Sequence, residues 1–148
     1  MAFRYRLEKV LKLRRLEESQ AADRLAEQRR LLELCRREIE LLQSSWQLCR
    51  RDMYGQGEGL TQSEFQLACQ RSRVLEQRLE RAWRRRQQLE QQLQQCLAEL
   101  EQRVSLRRGQ QRHREERLQE WKKRQRRQQD KRDEQLVNGR CRVEVSDE

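Results

Sequence analysis

From Glu18 onward, a stripe of mostly apolar residues recurs with alternating spacings of three and four: Ala21, Leu25, Gln28, Leu32, Cys35, Ile39, Leu42, Trp46, Cys49 and Met53. Leu7 and Leu11 extend the series backwards, and the positions between are mostly Arg, Glu and Gln. A stripe of this period places one apolar line along an α-helix, the seam of a coiled coil. The pattern predicts a first helix from about Phe3 to about Tyr54. It stops at Tyr54-Gly55-Gln56-Gly57-Glu58-Gly59, which holds three of the chain's five glycines. Glycine tolerates the left-handed conformation that closes a helix, so residues 55–61 read as a turn. Thr61 and Glu64 then have capping-box spacing, with Leu60 and Phe65 where a hydrophobic staple belongs.

A second stripe follows: Phe65, Ala68, Ser72, Leu75, Leu79, Ala82, Arg86, Leu89, Leu93, Cys96 and Leu100. Its polar members, Ser72 and Arg86, resemble Glu18 and Gln28 in the first; polar seam residues weaken a coiled coil but help fix its register. Beyond Leu100 the pattern loosens to Val104, Leu118 and Trp121, a stripe too thin to require a continuous partner. The second helix is expected over about 62–137, and residues 139–148, after Asn138, as a flexible tail. A short turn makes long helices antiparallel neighbours. The predicted fold is therefore all-α, one antiparallel coiled-coil hairpin over residues 1–138. Residue i should face about residue 116 minus i, which sets Phe3 beside His113. At 1.5 Å per residue the helices measure about 75–80 Å and about 110 Å. The longer one should overhang from about His113 to Leu136, carrying an exposed Trp121.

Composition removes the competing reading of disorder. The chain has 148 residues, no proline and 41% charged side chains, with a mean hydropathy of −1.32. Only 34% of residues are apolar, too few for a broad three-dimensional core but enough for a narrow seam. Leu, Glu, Arg, Gln and Lys, all good helix formers, dominate. Met1 leads into charged residues rather than an apolar run, so no signal peptide is expected. No apolar stretch approaches the roughly 20 residues of a membrane span. Cys35, Cys49, Cys69, Cys96 and Cys141 lack CxxC spacing and read as small apolar fillers in a reducing cytosol rather than a zinc site or disulfide framework.

The net charge of +10 points to anionic partners. Its densest part runs through Arg107-Arg108, Arg112, Arg114, Lys122-Lys123-Arg124, Arg126-Arg127 and Lys131-Arg132. Glu115-Glu116, Glu120 and Asp130 interrupt it, and the base-reading Asn of a bZIP-type basic region is missing. An acidic protein surface fits this face better than nucleic acid does. No catalytic constellation is visible. His113 is the sole histidine and sits in a polar run, so it reads as a solvated side chain. The glycines of the turn lack the Lys-Ser/Thr of a phosphate-binding loop. The carboxylates alternate with Arg and Lys as solvated helix faces do. The expectation is a protein without enzyme activity, cofactor or metal.

The opening Met1-Ala2-Phe3-Arg4-Tyr5-Arg6-Leu7-Glu8-Lys9-Val10-Leu11-Lys12-Leu13-Arg14, with Glu17-Glu18, Ala21-Ala22 and Lys131-x-Asp133-Glu134 near the other end, resembles the flagellar FliJ family. The resemblance implies a component of the bacterial flagellar type III export apparatus, a hairpin like the stalk of rotary ATPases. Its implied partners are the export ATPase hexamer, the membrane export gate protein and late-substrate export chaperones. Its implied location is the cytoplasm, peripheral to the cytoplasmic face of the cell membrane. By the same resemblance, Leu75, Leu79, Ala82 and Arg86, with Trp83 beside them, would contact the gate. Phe3, Tyr5, Leu7, Trp121, Asp133 and Glu134 would meet the ATPase. The alternative on the residues alone is a generic coiled-coil adaptor or a basic helix that binds nucleic acid.

Overall fold

The structure is a computed structural model describing residues 2–55 and 59–146, with side chains to Arg140. Residues 56–58 of the expected turn, and the side chain of Cys141, lie outside the described residues. Two helices account for nearly everything described: α1, Glu8–Tyr54, and α2, Gln62–Ser146. They form the expected all-α antiparallel hairpin, with α2 the longer. No described helix is long and apolar enough to cross a membrane.

The ends of the helices follow their local chemistry. The amide of Gly55 donates to the carbonyl of Arg51 at 2.7 Å. A Cβ built on Gly55 would lie 2.6 Å from that same oxygen, so only glycine fits. Glu64 accepts from the Thr61 amide at 3.1 Å, and the Glu64 amide donates back to the Thr61 hydroxyl at 3.4 Å, which is the capping box read from the sequence. Two ends differ from expectation. The first helix begins at Glu8, not near Phe3, and helical backbone continues to Ser146, past residue 137. Nothing in the tail forbids helix, since there is no proline and a Cβ on Gly139 would meet only open space.

The chain packs as two units, Ser19–Gln102, and Met1–Glu18 with Arg103–Glu148. In the first, Leu32, Cys35, Ile39, Leu79, Ala82 and Leu89 form one buried cluster, with Leu31, Leu42, Trp46 and Leu93 against it. Burying a Leu or Ile side chain contributes about 1.5–3 kcal/mol, so this seam dominates the unit's stability. Thiols tie it across: Cys35 Sγ donates to the Ala82 carbonyl at 3.4 Å and Cys49 Sγ to that of Ala68 at 3.6 Å. Both pairings lie within one residue of the expected register. Of the polar seam residues in this unit, Ser72 is buried and donates to Glu76 at 3.4 Å. Arg86 turns out to solvent beside Glu90 at 3.7 Å. Gln28 keeps a buried Oε1 that no protein donor reaches.

The second unit is held differently. Among the described residues, its one fully buried large side chain is Leu11. Around it, the helices are joined by Glu8–Arg114 at 3.1 Å, Glu17–Arg103 at 3.2 Å and Glu18–Arg107. Glu17 also accepts from Arg14 at 3.0 Å, so one carboxylate serves both helices. The stretch past Leu100, whose apolar stripe is too thin to require a continuous partner, is joined to the start of α1 by these ion pairs as far as Arg114.

Candidate functional site: an aromatic clasp at the chain's N-terminus

Residues 2–5 are not helical. Phe3 and Tyr5 are half-buried there while Arg4 and Arg6 are exposed, and residues 6–7 form a turn that leads into α1. The segment lies along α2 and lines, with His113, Arg117, Glu120, Trp121 and Arg124, a groove of about 560 Å³. Two aromatic contacts hold it: Phe3 against Trp121, ring centroids 6.0 Å apart at 56°, and Tyr5 against His113, 5.7 Å apart at 53°. Tilted pairs at these separations suit the ring quadrupoles.

A short hydrogen-bond chain completes the clasp. Gln110 Nε2 donates to the Tyr5 hydroxyl at 2.8 Å. That hydroxyl lies 2.7 Å from His113 Nδ1, to which it donates when the imidazole proton is on Nε2. The solvated histidine expected from sequence is therefore a half-buried partner of Tyr5. Trp121 is likewise not an exposed aromatic on an unpaired helix, because Phe3 covers it. A non-helical chain can advance up to about 3.3 Å per residue, against 1.5 Å in a helix. The same few N-terminal residues consequently reach farther along α2, and the uncovered part of α2 starts beyond Arg124 rather than at His113.

The other predicted site residues are distributed as follows. Leu79 and Ala82 are buried in the seam and offer no free surface. Leu75 is half-buried. Trp83 is 44% exposed and lines a groove of about 290 Å³ with Gln43, Trp46, Gln47, Glu76 and Leu79. There Trp46 Nε1 donates to Glu76 at 3.1 Å, and Arg50 lies 4.9 Å over the Trp46 ring. Asp133 and Glu134 are exposed and line a shallow depression with Asp130, Val137 and Asn138. Remote from all of these, hydrogen bonds and charge from Arg30 hold the Glu27 carboxyl below its ordinary value. Sequence reasoning missed Gln110 and His113. Neither has a local signal, but the alternation Phe3-Arg4-Tyr5-Arg6-Leu7 has a period of two, which argued against helix there.

Fold and site together define a coiled-coil hairpin whose N-terminal segment is pinned by aromatic residues onto the longer helix. Among solved structures, the chain is similar to CT670 of Chlamydia trachomatis, described as a YscO homolog. The match has a TM-score of 0.65 at 19% identity and covers 99% of this chain and 100% of that one. At that identity the likeness is one of fold. No family model and no curated protein sequence matches the chain.

Proposed function

We propose that the protein is a non-enzymatic, stalk-like coiled coil of a bacterial type III protein export apparatus, and specifically of its flagellar form. The observation that carries this reading is the end-to-end likeness to a YscO homolog, with almost nothing of either chain left over. The FliJ-like opening motif points the same way and is what favours the flagellar form. In this role the hairpin binds the export ATPase hexamer, promotes assembly of its ring, and couples it to the membrane export gate at the cytoplasmic face of the membrane. It also serves chaperones of late substrates. The ATPase contact falls on the N-terminal clasp (Phe3, Tyr5, Leu7 and Trp121), with Asp133 and Glu134 farther along α2. At the gate-binding stretch, Trp83 and Arg86 are the side chains open to a partner, with Leu75 half-covered.

The test is reconstitution with the flagellar export ATPase of the same organism. The expected result is co-sedimentation of the two, a rise in ATP hydrolysis, loss of both in Phe3→Ala with Trp121→Ala, and loss of motility on deletion. No association together with normal filaments in the deletion strain would overturn it. The exposed basic stretch 122–132 supports one rival, a nucleic-acid-binding helix. A salt-sensitive duplex mobility shift at physiological ionic strength, without ATPase binding, would favour that rival.

A further inference from the structure

Outside the seam, the unit Ser19–Gln102 carries apolar residues that its own packing does not use. Leu34, Leu41 and Leu48 are spaced by sevens on α1, and Leu67 and Val74 likewise on α2. All five are exposed, Leu41 by 70% and Leu48 by 59%. Leu48, Leu67 and Val74 line one groove of about 670 Å³ with Cys49, Ala68 and Leu75 at its floor. The register that sets Cys49 against Ala68 puts Leu48 roughly level with Leu67, and Leu41 roughly level with Val74. Leu48 and Leu67 thus face each other across the groove, Val74 lines it one heptad on, and Leu41 continues the α1 stripe just beyond its lining. The stripes end abruptly, at Glu27 one heptad before Leu34 and at Arg81 one heptad after Val74. An exterior built for water alone would continue the Arg, Glu and Gln found elsewhere.

The groove's rim has a sign. Arg71 and Arg78 line it from α2, with Asp52 opposite. Among the described residues neither arginine is paired with a carboxylate, unlike Arg36, Arg84 and Arg86. A second copy of this chain would bring the same arginines and another +10 of net charge, so self-association is electrostatically opposed. Apolar residues at heptad spacing on both walls suit a third helix packed in coiled-coil fashion.

We infer that this groove is a docking site for an acidic amphipathic helix of a partner protein, which completes a local three-helix bundle over Leu41, Leu48, Leu67 and Val74 with its carboxylates on Arg71 and Arg78. The inference stands independently of the export reading. It is tested with the full-length protein and a fluorescent synthetic helix of four heptads (about 28 residues), with Leu and Ile in its seam and Glu flanking it. A counterpart carries Lys in place of Glu. At physiological salt the acidic peptide binds saturably at one site and the Lys peptide does not. Leu48→Ser with Val74→Ser weakens binding roughly tenfold or more. Arg71→Glu with Arg78→Glu weakens the acidic peptide and admits the Lys peptide. Leu106→Ala, at an exposed position off the groove, leaves binding unchanged. The substituted residues are exposed, and unaltered thermal unfolding of each variant verifies the fold. Binding that survives Leu48→Ser with Val74→Ser would overturn the proposal and place the peptide on the basic stretch 122–132. So would sedimentation of the free protein as a dimer that those two substitutions dissociate, which would make the stripe a contact between copies.

Discussion

Substituting Tyr5 by Phe isolates the clasp's hydrogen bonds, because the ring that packs on His113 is kept and only the hydroxyl is lost. Two contacts disappear, from Gln110 at 2.8 Å and to His113 at 2.7 Å. A neutral hydrogen bond contributes about 0.5–1.5 kcal/mol net. Both partners are only half-buried, so water compensates in part and the loss should total about 1–2 kcal/mol. The segment sits at a chain end and can open without unfolding the seam, so this energy governs local opening. The informative assay is hydrogen exchange at the amides of Glu8 and Leu11, which donate to Tyr5 and Leu7. At 1.4 kcal/mol per decade, exchange there should quicken by about five- to thirtyfold. Amides from Leu32 to Ile39, in the apolar seam, should be unchanged. A cycle with His113→Ala should show coupling of about 0.5–1 kcal/mol. Acceleration under about twofold at Glu8 and Leu11, or strict additivity in the cycle, would refute the clasp.

Three further expectations rest on single residues and a fourth on the ion pairs. Gly109→Ala, exposed in mid-helix with open space for a Cβ, should stabilise by about 1 kcal/mol in thermal unfolding, from helix propensity alone. Gly55→Ala should destabilise the turn end instead, because its Cβ meets the Arg51 carbonyl, and exchange at the last turn of α1 should quicken. Gln28→Leu should raise stability by about 1–3 kcal/mol in urea unfolding, by removing a buried acceptor that no protein group pairs. Raising NaCl from about 0.05 to 1 M shortens the Debye length to about 3 Å. It should quicken exchange around Glu8, Glu17 and Glu18 and leave Leu32–Ile39 unaffected.

The apolar seam was legible in the sequence almost residue for residue, because its signal is one repeated physical requirement. From Ala21 to Met53 every expected seam position is buried or half-buried. The exceptions on α2, Phe65 and Arg86, sit beside the turn and at a charge that solvent claims more cheaply than the seam does. The capping box was legible for the same reason: its residues are three apart and their bonding is local. The clasp was not. Tyr5 and His113 are separated by 108 positions, and neither carries any mark of the other. Its one local cue, alternation by twos, is only five residues long and was overshadowed by the helical spacing of Leu7 and Leu11. The ion pairs past Leu100 were hidden differently. Arg and Glu also fill the solvated faces, so periodicity cannot separate a carboxylate that crosses to the other helix from one that pairs along its own.

That difference in legibility is also a difference in what each unit can do. Between Ser19 and Gln102 the helices share a dry cluster, and separating them would expose Leu32, Ile39, Leu79 and Leu89 together. Such a seam opens only cooperatively. In the unit of the two chain ends, the joining groups are half-exposed carboxylates, guanidinium groups, a phenol and an imidazole. Each of these contributes on the order of 1 kcal/mol or less and recovers most of that from water when broken. A partner that offers its own charges and aromatic faces to Phe3, Tyr5 and Trp121 therefore competes against weak bonds taken one at a time. A surface that must exchange internal contacts for external ones is better built this way than as an apolar seam, and that is the physical reason the proposed ATPase contact is assigned to the clasp rather than to the buried stripe.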